Sequence, residues 1–164
     1  MSVQDIAVIV GGGPGVSASC ARLFAREGMK VAVAARSPDK PVLKSLEETH
    51  DVLLVVCDAS DPSSVENLFA TVKEKIGNPT LVVHNIDGRS REIFRKPITE
   101  AEPEHVMATI RNSTFSAFLV GQQAAKCLLE NEVGDRGRGS IIFTNASAAI
   151  KGYPLSGAFA AASH

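Results

Sequence analysis

Four glycines, Gly11, Gly12, Gly13 and Gly15, break an apolar run, Ile6 to Val10, just before the chain resumes with helical spacing from Val16 and Ser17. This order reads as strand, phosphate-binding turn and helix. Small residues let the backbone approach a pyrophosphate, whose charge is met by the unpaired N–H groups and positive dipole end of the following helix. Gly11, Gly13, Gly15, Val16 and Ser17 are therefore the candidate contacts to a nucleotide cofactor.

Further residues with chemical capacity fall at the ends of other apolar runs: Ala35-Arg36, Cys57-Asp58-Ala59, His84-Asn85-Ile86 and Thr144-Asn145-Ala146-Ser147. Asp58, with Ala59 beside it, can accept from an adenine amino group, and Asn85 can fix the loop around the cofactor. An acidic residue about 20 positions after the glycine loop would bond a ribose 2′-hydroxyl, as NAD requires. Ala35 holds that position and Arg36 follows, a planar donor fork suited to a 2′-phosphate, so NADP(H) is favoured over NAD(H). Ser147 offers either a substrate hydrogen bond or a turn. His84 reads as a strand-end histidine bonded to backbone, His105 as helical surface charge beside Glu102 and Glu104, and Tyr153 as a loop residue packing its ring.

The elements that must position these residues alternate strand and helix, the signature of a parallel sheet covered on both faces. Strands are expected at Ile6 to Val10, Val31 to Ala35, Val52 to Cys57, Leu81 to Ile86 and Ser140 to Thr144. The first helix carries Val16, Cys20, Leu23, Phe24 and Ala25 as its stripe and ends at Gly28. A weak element after Pro41 buries Val42, Leu43 and Leu46. Val65, Leu68, Phe69, Val72 and Ile76 form the face of a helix opened by Asp61-Pro62 and closed by Gly77. After a polar loop from Asp87 to Lys96, Thr99 to Glu102 has capping-box spacing. One long helix is then expected from about His105 to Glu130, with Ile110, Phe115, Phe118, Leu119, Ala125 and Leu128 as its apolar band. Gly134 to Gly139, including Asp135, Arg136 and Arg138, reads as a turn. The fold class is Rossmann-like: a doubly wound, three-layer sheet of order 3-2-1-4-5 in one domain spanning 1–164. Right-handed crossovers gather all five strand C-termini along one edge, where ligands bind.

Composition narrows the function classes. The net charge of −1 and 21% charged residues give nucleic acid no electrostatic footprint. No apolar run approaches a membrane span, and no basic region precedes a long apolar one at the N-terminus, so a cytoplasmic protein is expected. Cys20, Cys57 and Cys127 lie far apart in apolar contexts, implying buried thiols and no metal site.

Together these stretches resemble the short-chain dehydrogenase/reductase family. Its T-G-x-x-x-G-x-G pattern is similar to Val10-Gly11-Gly12-Gly13-Pro14-Gly15-Val16-Ser17, with Val for Thr and Ser for the last Gly. Its N-N-A-G segment is similar to His84-Asn85-Ile86-Asp87, sharing the second Asn. Cys57-Asp58-Ala59-Ser60-Asp61 resembles the stretch after its third strand, and Ala34-Ala35-Arg36 its NADP-preferring variant. Phe118 to Ala125 resembles the long helix that supplies a structural Asn and much of the dimer contact, and Ser140 to Thr144 the strand before the catalytic Ser.

The resemblance runs in order along the whole chain. It implies hydride transfer between NADPH and a carbonyl or alcohol substrate, and a homo-oligomer. The family's Ser falls on Ser147 or Ala146, and its helix Asn on Asn112 or Ser113. The Y-x-x-x-K pair is not matched: ungapped spacing puts Phe159 and Ser163 there, and a short insertion moves the Tyr site to Ala162 and the Lys site beyond His164. The alternative function is therefore a catalytically inactive dinucleotide-binding or assembly module. Because the family continues with two more strands and a substrate loop, the chain is expected to be a C-terminally truncated piece of a longer protein.

Overall fold

The computed structural model describes residues 4–135 and 137–163; Arg136, His164 and the side chain of Ser163 lie outside the described residues. Five parallel strands form one sheet: β1 (Ile6–Val10), β2 (Lys30–Ala35), β3 (Leu53–Val56), β4 (Leu81–His84) and β5 (Ser140–Phe143), in the order β3-β2-β1-β4-β5. The expected topology holds. The central strands β1, β2 and β4 are buried on both faces, which is why β1 and β2 read as continuous apolar runs, whereas the edge strands β3 and β5 are partly exposed.

Alternation along β1 feeds two cores. Ile6, Val8 and Val10 join Val65, Leu68, Phe69 and Val72 of α3 (Pro62–Lys75) and Leu119, Val120 and Ala124 of α5 (Ser116–Glu130). Ala7 and Ile9 join Ala18 and Ala21 of α1 (Val16–Arg26) and Leu43 and Leu46 of α2 (Pro41–His50). Three layers follow from that division. Among the described residues no helix is long and apolar enough to cross a membrane.

Helix ends follow their local chemistry. Asp61 accepts from the Ser64 amide at 3.1 Å and Pro62 occupies the first turn of α3. Gly28 and Gly77 adopt φ of +84° and +112° just past their helices, as glycine after a helix does.

Several boundaries differ from the sequence reading. The third strand lacks Val52 and Cys57, and the fourth and fifth stop at His84 and Phe143. The α1 stripe is shifted in part: Cys20, Phe24 and Ala25 pack against the core as expected, but Ser17, Ala18 and Ala21 are the buried residues, and Val16 and Leu23 are 54% and 44% exposed. Small residues let α1 press close to the sheet. Thr99 caps nothing; it lies in a short turn, Ile98–Glu100, and Glu102 precedes α4 (Pro103–Ile110), because Pro103 suits a first helical turn and has no N–H to bond the Thr99 carbonyl in a helix begun there. The long helix is two α segments joined by a π segment, Arg111–Phe115. Its extra residue rephases the apolar band, so α5 buries Ser116, Leu119, Val120, Ala124 and Cys127 while Phe115, Phe118 and Ala125 are exposed. A seven-residue helix, α6 (Gly157–Ser163), packs Ala158 and Phe159 against Ile93 in the loop after β4.

Candidate functional site

Strand register brings the candidate residues to one edge. Val10 pairs with Ala34 on one side and His84 on the other, Ala35 with Val56, and His84 with Phe143. The loops leaving these five ends therefore face a common crevice. It straddles β1 and β4, where the strand order reverses.

The glycine loop is held from beneath by side chains of three other segments. The amides of Gly11 and Gly12 donate to the Ala34 carbonyl at 3.0 and 2.9 Å. Ser17 Oγ donates to the Gly11 carbonyl at 2.8 Å, Asn85 Nδ2 donates to Ser17 Oγ at 2.7 Å, and Thr144 Oγ1 donates to Asn85 Oδ1 at 2.8 Å. This relay ties the turn to β4 and β5. Gly11 has φ +105°, and a Cβ there would sit 2.2 Å from the Asn85 carbonyl oxygen, so only glycine fits.

Gly13 and Gly15 differ. A Cβ at either meets nothing within 4 Å, and no side chain caps the first turn of α1. Open space beside uncapped helix N–H groups fits a pyrophosphate.

On the β2–β3 side the crevice is a cleft of about 480 Å³ lined by Gly11, Gly12, Arg36, Asp58, Ala59, Asn85 and Asn112, among others. Hydrogen bonds from the Ser60 amide and hydroxyl to Asp58 Oδ1, at 2.9 and 2.8 Å, hold its carboxyl below the usual range, with Arg36 and Arg111 adding to the effect. Two cleft residues escaped the sequence reading, Ser37 and Lys40, which stand with Arg36 around the start of α2. Their position just before Pro41 was the available signal. Asn112 lies in the π segment and lines this cleft, whereas Ser113 lines the cavity on the other side.

That second cavity, about 430 Å³, continues past Asn85, Ile86, Asp87 and Gly88, which line both. Val16, Thr144, Asn145, Ala146 and Phe159 also face it; Ser147 does not line it and instead meets the Tyr153 hydroxyl at 3.0 Å. Tyr153 thus uses its hydroxyl and leaves its ring 47% exposed, a correction to the packed ring expected. His84 makes the backbone bond expected, to its own main chain, and its Nε2 also meets the Ser116 hydroxyl at 2.9 Å. Ser116 Oγ lies 2.6 Å from the Asn112 carbonyl, so helix and strand end are bonded through it. Burial pushes the His84 imidazole down to about 4, leaving it neutral near pH 7.

Gly88 and Arg89 were also missed. A Cβ on Gly88 would lie 2.5 Å from the Asn112 carbonyl carbon, so the loop is glycine where it crosses the π segment. Arg89 stacks on Phe159, a contact that no local spacing announces. His105 sits 3.9 Å from Glu104 and 4.0 Å from Glu92, on the surface side of α4.

The chain is similar to known proteins in sequence and in fold. A family model described as short chain dehydrogenase matches residues 5–164. An uncharacterised oxidoreductase of Thermotoga maritima is 30% identical over 91% of this chain and 56% of its own length. The 3-oxoacyl-[acyl-carrier-protein] reductase of Bos taurus is 22% identical over 92% of this chain and 60% of its own. The crystal structure of an enoyl-(acyl-carrier-protein) reductase of Anaplasma phagocytophilum, in complex with NAD, superposes with a TM-score of 0.82 at 23% identity, covering 97% of this chain and 60% of that one. The chain spans a little over half the length of the curated relatives it matches.

Proposed function

Because the chain belongs to the short-chain dehydrogenase family, we propose that it binds NADP(H) and serves an oxidoreductase that moves a hydride between that cofactor and a carbonyl or alcohol substrate. The observation that carries the reading is the glycine turn itself: open space at Gly13 and Gly15, uncapped α1 amides, and a relay from Ser17 through Asn85 to Thr144. When bound, the cofactor supplies the carbon that gives or takes the hydride.

The chain's own residues bind and orient. Backbone at Gly11, Gly13, Gly15, Val16 and Ser17 receives the pyrophosphate, and Arg36, with Lys40 lining the same cleft, meets a 2′-phosphate. Asp58 and Ala59 border the adenine end, and Asn85 keeps the turn in shape. Asn112 steadies the crevice from the π segment. Ser147, with its hydroxyl on Tyr153, follows the lining residues Thr144, Asn145 and Ala146 in the chain and is the proposed substrate contact. We further assign the protein to the cytoplasm and expect a homo-oligomer.

A second reading has its own observation. Phe159 lines the cavity at the position that the ungapped family spacing gives to Tyr, and a phenyl ring has no proton to offer. A binding module without turnover follows if nothing else serves as acid.

Fluorescence titration with NADPH and NADH, followed by turnover on a carbonyl panel, tests both. NADPH binding stronger than NADH, erased by Arg36→Ala, is the expected result; losing one charge-assisted contact lowers NADPH affinity by about tenfold or more. Binding without turnover would favour the module, and binding of neither cofactor would overturn both readings.

A further inference from the structure

The cavity on the β4–β5 side has one permanent cation among its described lining residues, Arg89. Its guanidinium contacts two aromatic rings, with Cζ 4.7 Å from the Phe94 centroid and 4.5 Å from that of Phe159. One edge is taken: Nη2 donates to Asp87 Oδ2 at 2.8 Å and Nε to Oδ1 at 3.4 Å. No described residue accepts from Nη1. Two ring contacts and a carboxylate along one edge hold the fork, so Nη1 is presented in a restricted orientation with its solvation reduced.

The remaining wall is suited to a small, partly apolar guest. Ile86, Ala117, Phe143, Ala146 and Phe159 supply apolar surface, and Ser113, Thr114, Thr144 and Asn145 supply polar groups. His84, the other basic side chain, is uncharged near neutral pH because it is buried. Asp87 lines the same cavity and offsets part of the Arg89 charge, so what is left for an anion is the directed N–H donors of Nη1.

We propose that Arg89 is a specificity-determining residue, and that this cavity takes small carbonyl compounds, or the matching alcohols, that carry a carboxylate, held by the free end of the Arg89 guanidinium. The inference rests on the oxidoreductase reading above for what the cavity is. It concerns which substrates enter and not the chemical step.

The test is a binding measurement on the whole chain loaded with NADPH, using 2-oxobutanoate and its uncharged methyl ester as probes, followed by calorimetry. Wild type is expected to bind the carboxylate about tenfold or more tightly than the ester, the value of one charge-assisted hydrogen bond. Arg89→Met should abolish that preference, and Arg89→Lys, which keeps the charge but loses the fork, should retain part of it. Equal binding of both probes by wild type, or an undiminished preference in a folded Arg89→Met, overturns the assignment. If Arg89→Met fails to fold by circular dichroism, the wild-type comparison and Arg89→Lys still decide. Nicotinamide fluorescence in the same samples separates the layers: cofactor bound without carboxylate preference overturns Arg89 alone, and no cofactor bound overturns the oxidoreductase reading together with it.

Discussion

Asn85 is the side chain that, among the described residues, bonds the glycine turn's Ser17 to the ends of β4 and β5. It donates to Ser17 and accepts from Thr144, so Asn85→Ala takes a donor from the buried Ser17 hydroxyl, while the exposed Thr144 keeps the His84 carbonyl as an acceptor. Leaving buried or half-buried partners unmade costs about 1–3 kcal/mol. Thermal unfolding should show that loss, and NADPH titration a weaker affinity, while Arg36→Ala should weaken NADPH without lowering stability. His84 gives a different prediction. Its folded pKa, about 4, lies below the ordinary 6.5, so the unfolded chain takes up the proton first. Its contribution is complete above pH 6.5, falls as pH drops toward 4, and levels off below that. At 1.36 kcal/mol per unit the loss reaches about 3 kcal/mol. Asp58 and Asp87, whose pKa values are lowered by hydrogen bonds, lose their contribution only at more acidic pH. Urea midpoints measured from pH 7 to pH 4 should therefore slope downward in wild type and be flatter in His84→Gln; equal slopes would remove His84 as the cause.

Between elements, the controlling contact is the loop after β4 against the π segment. Gly88 passes close enough that a Cβ would overlap the Asn112 carbonyl carbon and Ser113, neither of which is the far end of a flexible chain. Gly88→Ala must push the loop and the segment apart, with overpacking that costs about 1–3 kcal/mol. Because Asp87 and Gly88 line both halves of the crevice, NADPH affinity should fall alongside the melting temperature; a stable variant with unchanged affinity would show that the two halves are not coupled there. This level also marks where sequence reading stops. Apolar runs and turn glycines made β1, β2 and the α3 caps legible, since local sterics and caps decide them. The π segment leaves no signature in Arg111 to Phe115, because its one-residue insertion is imposed by packing and by the Ser116 bond to the Asn112 carbonyl. The α1 face was partly misjudged for a related reason: close contact with the sheet selects Ser17, Ala18 and Ala21 over the larger Val16 and Leu23.

Across the whole molecule, contacts distant in sequence complete the site, and Arg89 on Phe159 is the clearest, since neither residue predicts the other. The same scale leaves apolar surface uncovered. Phe115 and Phe118, 40% and 58% exposed, stack on one another with centroids 6.4 Å apart at the start of α5. On another face Ile142 and Phe143 of β5 are 47% and 49% exposed. Exposed apolar patches of this kind mark association surfaces. The mass from light scattering should therefore rise with protein concentration. If the helix pair is the contact, Phe118→Asp removes a buried phenyl worth about 1.5–3 kcal/mol on each side and weakens association by about tenfold or more. Association that survives Phe118→Asp but is lost in Ile142→Asp would instead locate the contact at β5, and a mass equal to one chain at every concentration would exclude both.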